Sequence, residues 1–573
     1  MTAPPVGRTD AVDAAAIGLR KARGAFFTPV ELCDYLCRWA IRHATDRVLE
    51  PSCGEAAFLL AAARRLDELG APADPGQLVG VELHSDSATA ARGLVAAAGR
   101  PAAVTVGDFF AEPGERRFDA VIGNPPYVRY QGFTGPSRLA SRRAALHGGV
   151  GLTALASSWA AFTVHAAEFL RPGGRLGLVL PAELLTVNYA AEVRRYLMAR
   201  FGRVRLVVFT ERVFPGVLEE VVLLLAEDAL APGGTDHCEL YQVATIADLA
   251  PEHVGGFAAQ HRWRPQEAGA KWTPALLSSA ALAVYGAAVA GTAFTGLQSW
   301  GETTLGAVTG RNSYFTLAPA DAARLGLRAA ETVALSPPGS RHLRELSLPT
   351  QRWRALGAAG WRTLLFRPGP DPAAMSAGAR RYLAAGEDQE VPAAYKCRVR
   401  SPWWQVPLVP PADLLVTYMN ADTPRLTTNA ARVYHLNSVH GVYLNQSTAG
   451  LGRELLPLAS LNSLTLLGAE LVGRAYGGGM LKLEPREADQ LPVPTTALVE
   501  AAGTELRARR GAVRAALRRG NLLGAVRLVD EVLLRGQLGL SAAQHAELVT
   551  AHALLTARRV SRGATRLPAD CCG

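Results

Sequence analysis

Across residues 1–228, short runs rich in Val, Ile and Leu alternate with longer amphipathic stretches, and this alternation constrains the chain more than any other feature. Parallel strands cannot be joined by a tight turn. Each needs a long crossover, which a helix supplies while covering the sheet face. Strands are predicted at 47–50, 78–83, 104–107, 119–123, 175–181, 205–209 and 221–226, and helices at 30–44, 56–69, 85–98, 158–170 and 190–200. The pattern predicts an α/β fold, a doubly wound, seven-stranded Rossmann-like sheet. Ligands of such sheets bind beyond the carboxyl ends of the strands, so the residues directly after each strand are where chemistry is to be sought.

The first strand ends Val48-Leu49-Glu50 and passes through Pro51-Ser52-Cys53-Gly54 into a helix carrying Phe58. An acidic residue followed by a glycine that admits close backbone approach suits a small ligand. The second strand ends in Glu82-Leu83, where a carboxylate can accept both hydroxyls of a ribose. The third ends in Asp108-Phe109-Phe110, a carboxylate able to accept from an adenine amine beside rings able to pack on the base. The fourth runs into Asn124-Pro125-Pro126-Tyr127. An amine conjugated to an aromatic ring is a poor nucleophile, because its lone pair is delocalised. The side-chain oxygen of Asn124 and the carbonyl of Pro125 are neutral acceptors. Two acceptors on one NH2 favour tetrahedral geometry and aim the lone pair outward, with no strong base required. The phenol ring of Tyr127 can stack on the heterocycle so held.

The run from Val48 to Phe58 resembles the first cofactor motif of class I methyltransferases, with Ala56 where that motif usually has glycine. Gly24-Ala25-Phe26-Phe27-Thr28-Pro29 precedes it, and Asn124-Pro125-Pro126-Tyr127 follows. With the motifs in that order, the chain resembles the gamma-class, TaqI-type adenine-N6 DNA methyltransferases over most of residues 20–228. The resemblance implies a methyltransferase sheet that uses S-adenosylmethionine. Its expected contacts are Phe27, Thr28, Pro29, Glu50, Pro51, Ser52, Cys53, Gly54, Phe58, Glu82, Leu83, Asp108, Phe109 and Asn124, with Thr28 and nearby backbone on the methionine portion. It also implies catalysis by Asn124, Pro125, Pro126 and Tyr127, with Phe214 as a second aromatic against an extruded base. No metal is required. Cys53 lacks the Pro-Cys arrangement of cytosine-C5 chemistry.

Beyond the Pro/Gly-rich turn at 230–235 the alternation is lost. The expected organisation is a catalytic domain at 1–228, a linker at 229–290, a mixed α+β target-recognition domain at 291–495 and a small helical region at 496–573. Residues 1–228 hold 25 Lys and Arg against 24 Asp and Glu, whereas residues 229–573 hold 35 against 26. The second part is the one suited to a polyanion. Gly310-Arg311-Asn312 resembles the start of this family's recognition domain, and the stretch with Arg474 and Lys482 resembles its close. Arg398, Arg400, Trp403 and Trp404 form a basic–aromatic cluster between them. These seven residues are the expected DNA contacts.

No apolar run reaches the ~20 residues of a membrane span, and the first twenty residues lack the apolar core of an export signal. The seven cysteines are an odd number without zinc spacing, as expected of reduced thiols in a cytoplasmic protein. The stretch before Phe-Thr-Pro is too short for a nuclease, so cleavage is expected of a partner endonuclease. The sequence therefore reads as a site-specific adenine-N6 methyltransferase acting on double-stranded DNA, the modification component of a restriction–modification or phage-defence system. Two alternatives stay open: a protein glutamine-N5 methyltransferase, and a non-catalytic DNA-binding subunit that keeps the fold.

Overall fold

The computed structural model describes residues 28–128, 132, 135–209, 211, 213–214, 220–249, 261–265 and 267–563. Phe27 and the residues before it lie outside the described residues. The chain divides into two compact units, Met1–Leu277 and Ser278–Gly573.

The first unit is built on one sheet. Its strands are β1 (Val48–Glu50), β2 (Leu78–Glu82), β3 (Ala103–Val106), β4 (Phe118–Gly123), β5 (Leu170–Pro181), β6 (Phe201–Phe209), β7 (Val221–Ala229), β8 (Cys238–Val243) and β9 (His261–Trp263). Their order is β3-β2-β1-β4-β5-β7-β6-β8-β9. β1 to β5 run parallel, and β7 lies antiparallel between β5 and β6. The order reverses at β1, whose neighbours are β2 and β4, so the loops after these strands open at the switch point. Strands such as β4 are buried on both faces, which is why they read as unbroken aliphatic runs rather than alternating ones. The helix Val30–Ala40 turns Leu32, Cys33, Leu36, Cys37 and Trp39 into the core, and Ala57–Glu68 adds Phe58, Leu59, Ala62 and Leu66.

The seven expected strands and five helices are all present, with ends displaced by a few residues. Two expectations need correction. The sheet has nine strands, because β8 pairs parallel with β6 and β9 pairs with β8. The Pro/Gly-rich turn at 230–235 is therefore a connection within the sheet and not a domain boundary. A Cβ on Gly234 would fall 2.2 Å from the Met198 carbonyl, so this turn is packed onto the end of the helix Ala191–Arg200. The second correction concerns the fifth strand, expected at 175–181: β5 begins at Leu170 and takes in Pro172-Gly173-Gly174 as an irregularity.

The second unit is mixed. A four-stranded antiparallel sheet joins Gly301–Leu305, Val439–Leu444, Leu414–Thr417 and Leu426–Thr428, and two three-stranded sheets accompany it. The C-terminal helices are not a separate tail. Arg559 in the helix Ala542–Gly563 donates to both oxygens of buried Glu470. Asp530 accepts the Ser463 N–H at 2.8 Å, and Arg507 pairs with Glu454 at 2.8 Å. These links bind the helical end to the helices Ala449–Ala459 and Ser463–Val472. Among the described residues no single helix is long and apolar enough to cross a membrane.

Candidate active site

The loops after β1 and β4 and the segment entering the first helix meet at Asn124. Its Nδ2 donates to Thr28 Oγ1 at 3.2 Å, and its Oδ1 accepts the Tyr127 hydroxyl at 2.6 Å. Its backbone carbonyl accepts from Ser52 Oγ at 3.5 Å. Three motifs that are distant in sequence thus meet at one residue. The Tyr127 hydroxyl also lies 2.9 Å from the Val179 carbonyl on β5. Pro125 is buried, and Asn124, Pro126 and Tyr127 are half-buried.

Sequence reasoning missed what fixes this loop from behind. Ser158, the first residue of the helix Ser158–Ala167, donates its hydroxyl to the Pro126 carbonyl and accepts the Val128 N–H at 2.9 Å. Its own N–H donates to the Val128 carbonyl at 3.0 Å. The pair Ser157-Ser158 ahead of an apolar helix was the available signal, since serine at a helix start seeks local backbone partners.

At the tip of β2, the Glu82 carboxylate accepts the N–H of Gly54 and that of His84, each at 2.9 Å. Leu83 beside it is 60 % exposed. Glu50 turns inward under the loop it precedes, and its carboxylate accepts the Leu59 N–H at 3.0 Å. Burial holds the Glu50 carboxyl well above the usual carboxylate range, against the lowering effect of that N–H. Pro51 is buried and Ser52 and Pro29 are half-buried. Asp108 caps a short 3-10 turn, accepting the Phe110 N–H at 3.0 Å.

Several expected contacts face the wrong way. Cys53 is buried, with its sulfur against Gly80 of β2, and burial raises its thiol far above the ordinary value. Only its backbone faces the loop. Phe58 lies in the core. Phe109 is 3 % exposed and stacks on Phe162 and Phe169, with ring centres 5.3 and 5.2 Å away. Phe214 is 5 % exposed within the apolar cluster against which Tyr127 packs, so it offers no free face to a base.

In the second unit the seven expected DNA contacts divide in the same manner. Arg400 donates to the carbonyls of Thr309 and Val308. Trp403 packs on Tyr314 and Phe315, and Trp404 Nε1 donates to the Gly369 carbonyl at 3.2 Å. Arg474 pairs with Glu487 at 2.9 Å and Lys482 with Glu484 at 2.8 Å. These five are committed to the fold. Arg311 is exposed, but its guanidinium also donates to a backbone carbonyl, that of Gln389, at 2.5 Å; Arg398 is exposed and forms no ion pair among the described residues. Arg398 ends a short helix that also exposes Lys396 and Tyr395, neither of which the sequence singled out; Tyr395 is 65 % exposed.

The strand order, the antiparallel β7 and the site at the tips of β1 to β4 define the first unit as a class I methyltransferase fold. Residues 13–231 match the model of the N-6 DNA Methylase family, and residues 269–534 match that of the C-terminal domain of the type II methyltransferase M.Eco57I. It is 27 % identical over 508 residues to the type II methyltransferase M.XamI of Xanthomonas campestris pv. amaranthicola, across 84 % of this chain and 86 % of that one. Against M.AccI of Acinetobacter calcoaceticus the identity is 20 % over 486 residues, across 82 % and 84 % of the two chains. Among solved structures it is similar to the type IIL restriction–modification enzyme MmeI in complex with DNA. That likeness has a TM-score of 0.55 at 12 % identity, covers 95 % of this chain and 77 % of the other, and concerns the fold alone.

Proposed function

We propose that this chain transfers the methyl group of S-adenosylmethionine to the N6 amine of an adenine extruded from duplex DNA, as the modification component of a restriction–modification or phage-defence system. The observation that carries the proposal is the convergence of Thr28, Ser52 and Tyr127 on Asn124.

The tips of β1 to β3 suit an adenosyl group. Glu82 is fixed by two backbone N–H groups, and each of its oxygens keeps a second lone pair for a ribose hydroxyl. Exposed Leu83 and Val106 offer apolar surface to a flat base, and half-exposed Asp108 an acceptor for its amine. A Cβ placed on Gly54 or Gly107 would meet no atom within 4 Å, so the space over these loops is open. S-adenosylmethionine, when bound, supplies an electrophilic methyl group. The protein's share is acceptors and position. Asn124 Oδ1 and the Pro125 carbonyl hold the amine and direct its lone pair, while the Tyr127 ring packs on the base. Extruding a nucleotide costs a few kcal/mol of stacking and pairing, which the ring contact offsets.

The second unit is assigned the grip on the duplex. Lys396 and Arg398 are exposed cations on the same short helix as the exposed Tyr395 ring, over which the Lys396 ammonium lies at 5.5 Å, a combination suited to phosphate and base contact. The family match at 13–231 supports a DNA amine over a protein glutamine as the acceptor. A DNA substrate places the chain in the cytoplasm, and an endonuclease with the same target is its expected partner. Transfer of labelled methyl to methylation-free genomic DNA, followed by nucleoside analysis, tests the reading. N6-methyladenine is the expected product, and label recovered only on protein would overturn it.

A further inference from the structure

We propose that Thr28 is a positioning residue for the transfer step, its hydroxyl holding the Asn124 amide from the end opposite the target amine. This inference rests on the adenine-N6 reading above and adds to it a role for Thr28 distinct from holding the cofactor.

A primary amide presents an acceptor at one end and a donor pair at the other, in nearly the same shape. Turned one way, Asn124 accepts from the amine. Turned the other, its NH2 opposes the amine's own hydrogens and transfer stops. A hydroxyl can donate or accept, so the amine's own N–H selects Oδ1, and the partner on Nδ2 holds the amide in that orientation.

Two partners are present. Tyr127 donates to Oδ1 at 2.6 Å, and Thr28 Oγ1 accepts from Nδ2 at 3.2 Å. They are not equivalent. The Tyr127 hydroxyl carries one hydrogen and has two acceptors within reach, Asn124 Oδ1 and the Val179 carbonyl at 2.9 Å. Tyr127 also occupies the very atom the amine must use, so its bond to Oδ1 is shared or surrendered when the base arrives. The Thr28 bond is made at the end of the amide that the amine never touches. It alone can persist through the reaction.

Thr28 is also rigidly held. Pro29 follows it, and the Pro29 carbonyl accepts the N–H groups of Leu32 and Cys33, both at 3.1 Å, in the first turn of the helix Val30–Ala40. The Thr28 carbonyl accepts the buried Cys33 thiol at 3.9 Å. A hydroxyl anchored to a core helix can hold its partner within a narrow range of angles, as a transfer geometry demands.

The test uses the full chain, as wild type, Thr28→Val and Thr28→Ser. Valine keeps the β-branched shape and removes only the hydroxyl, and serine returns it. Two quantities are read: the calorimetric Kd for S-adenosylmethionine, and the single-turnover rate of methyl transfer to methylation-free genomic DNA at saturating cofactor. Loss of one orienting hydrogen bond predicts that T28V slows transfer about tenfold or more while Kd moves by less than about threefold. T28S is expected within about threefold of wild type in both, the rescue that marks the hydroxyl. Retained cofactor binding shows that T28V is folded. The inference is overturned if T28V transfers at the wild-type rate, or if its Kd rises tenfold or more while the saturated rate is kept, which would make Thr28 a cofactor contact only. A wild type that modifies no DNA overturns the adenine-N6 reading and this inference with it.

Discussion

The Oε2 atom of Glu82 accepts the Gly54 N–H at 2.9 Å, so the carboxylate at the tip of β2 and the glycine of the loop after β1 form one unit. The same carboxylate is assigned the ribose of the cofactor, and shape and affinity therefore depend on one side chain. Glu82→Gln replaces an oxygen with a donor that must face the N–H of either Gly54 or His84. A buried donor left without an acceptor costs ~1–3 kcal/mol, which predicts roughly a 10- to 100-fold weaker Kd for S-adenosylmethionine and a lower Tm. Titration calorimetry checks it; an unchanged Kd would remove Glu82 from the cofactor site.

Phe214 is predicted to act through stability. Its ring lies in the apolar cluster beneath the site, and truncating a buried Phe to Ala costs ~3–5 kcal/mol. Denaturant unfolding of Phe214→Ala should show that loss, with transfer per folded molecule much less affected. The reverse pattern, intact stability with slow transfer, would restore it to the base.

Lys396→Ala and Arg398→Ala should each weaken DNA binding and flatten the dependence of log K on log salt by about one unit, leaving cofactor affinity unchanged. Arg400→Ala should instead lower stability, because its guanidinium serves the Thr309 and Val308 carbonyls. Fluorescence anisotropy across a salt series separates the two outcomes. Equal salt slopes for all three variants would contradict the assignment.

The dependence of stability on pH should turn near neutrality. Burial pushes the His342 and His435 side chains down to about 4, whereas in the unfolded chain they titrate near 6.5. As pH falls from 6.5 towards 4 the unfolded chain takes up protons that the native unit refuses, so stability is lost on acidification. His545 works in the opposite sense. Its hydrogen bond to Asp530 raises it above 6.5, so its contribution is complete below 6.5 and is lost as pH rises through the raised value. Scanning calorimetry of the full chain should show the Tm of the second unit falling on both sides, with His545→Asn removing the alkaline arm only. An alkaline arm left intact in that variant would contradict the His545 assignment.

The strands and the residues after them were legible because buried parallel strands are aliphatic runs, and their carboxyl ends carry the chemistry. The loop after β1 illustrates the reach of that reading. Ala56 stands where glycine is usual, and the structure holds it at φ 65°, a left-handed conformation costing ~1–2 kcal/mol in an L-residue. The bond from its N–H to the Cys53 carbonyl at 2.7 Å helps keep it there. Which way an aromatic faces was not legible. Phe109 and Phe110 are adjacent, and only the turn capped by Asp108 decides that Phe109 goes into the core. Nor could composition separate Arg398 from Arg400, Arg474 or Lys482, since the partners that engage the latter three are carbonyls and carboxylates brought in by tertiary structure. β8 was hidden because a Pro-Gly-Gly turn looks alike whether it links domains or packs within one.

The most direct measurement is long-read sequencing of a methylation-free host expressing either the wild-type chain or Asn124→Ala. N6-methyladenine at one defined sequence is expected with the wild type, and unmodified DNA with the variant. Unmodified adenines with the wild type, or full modification with Asn124→Ala, would contradict the adenine-N6 reading.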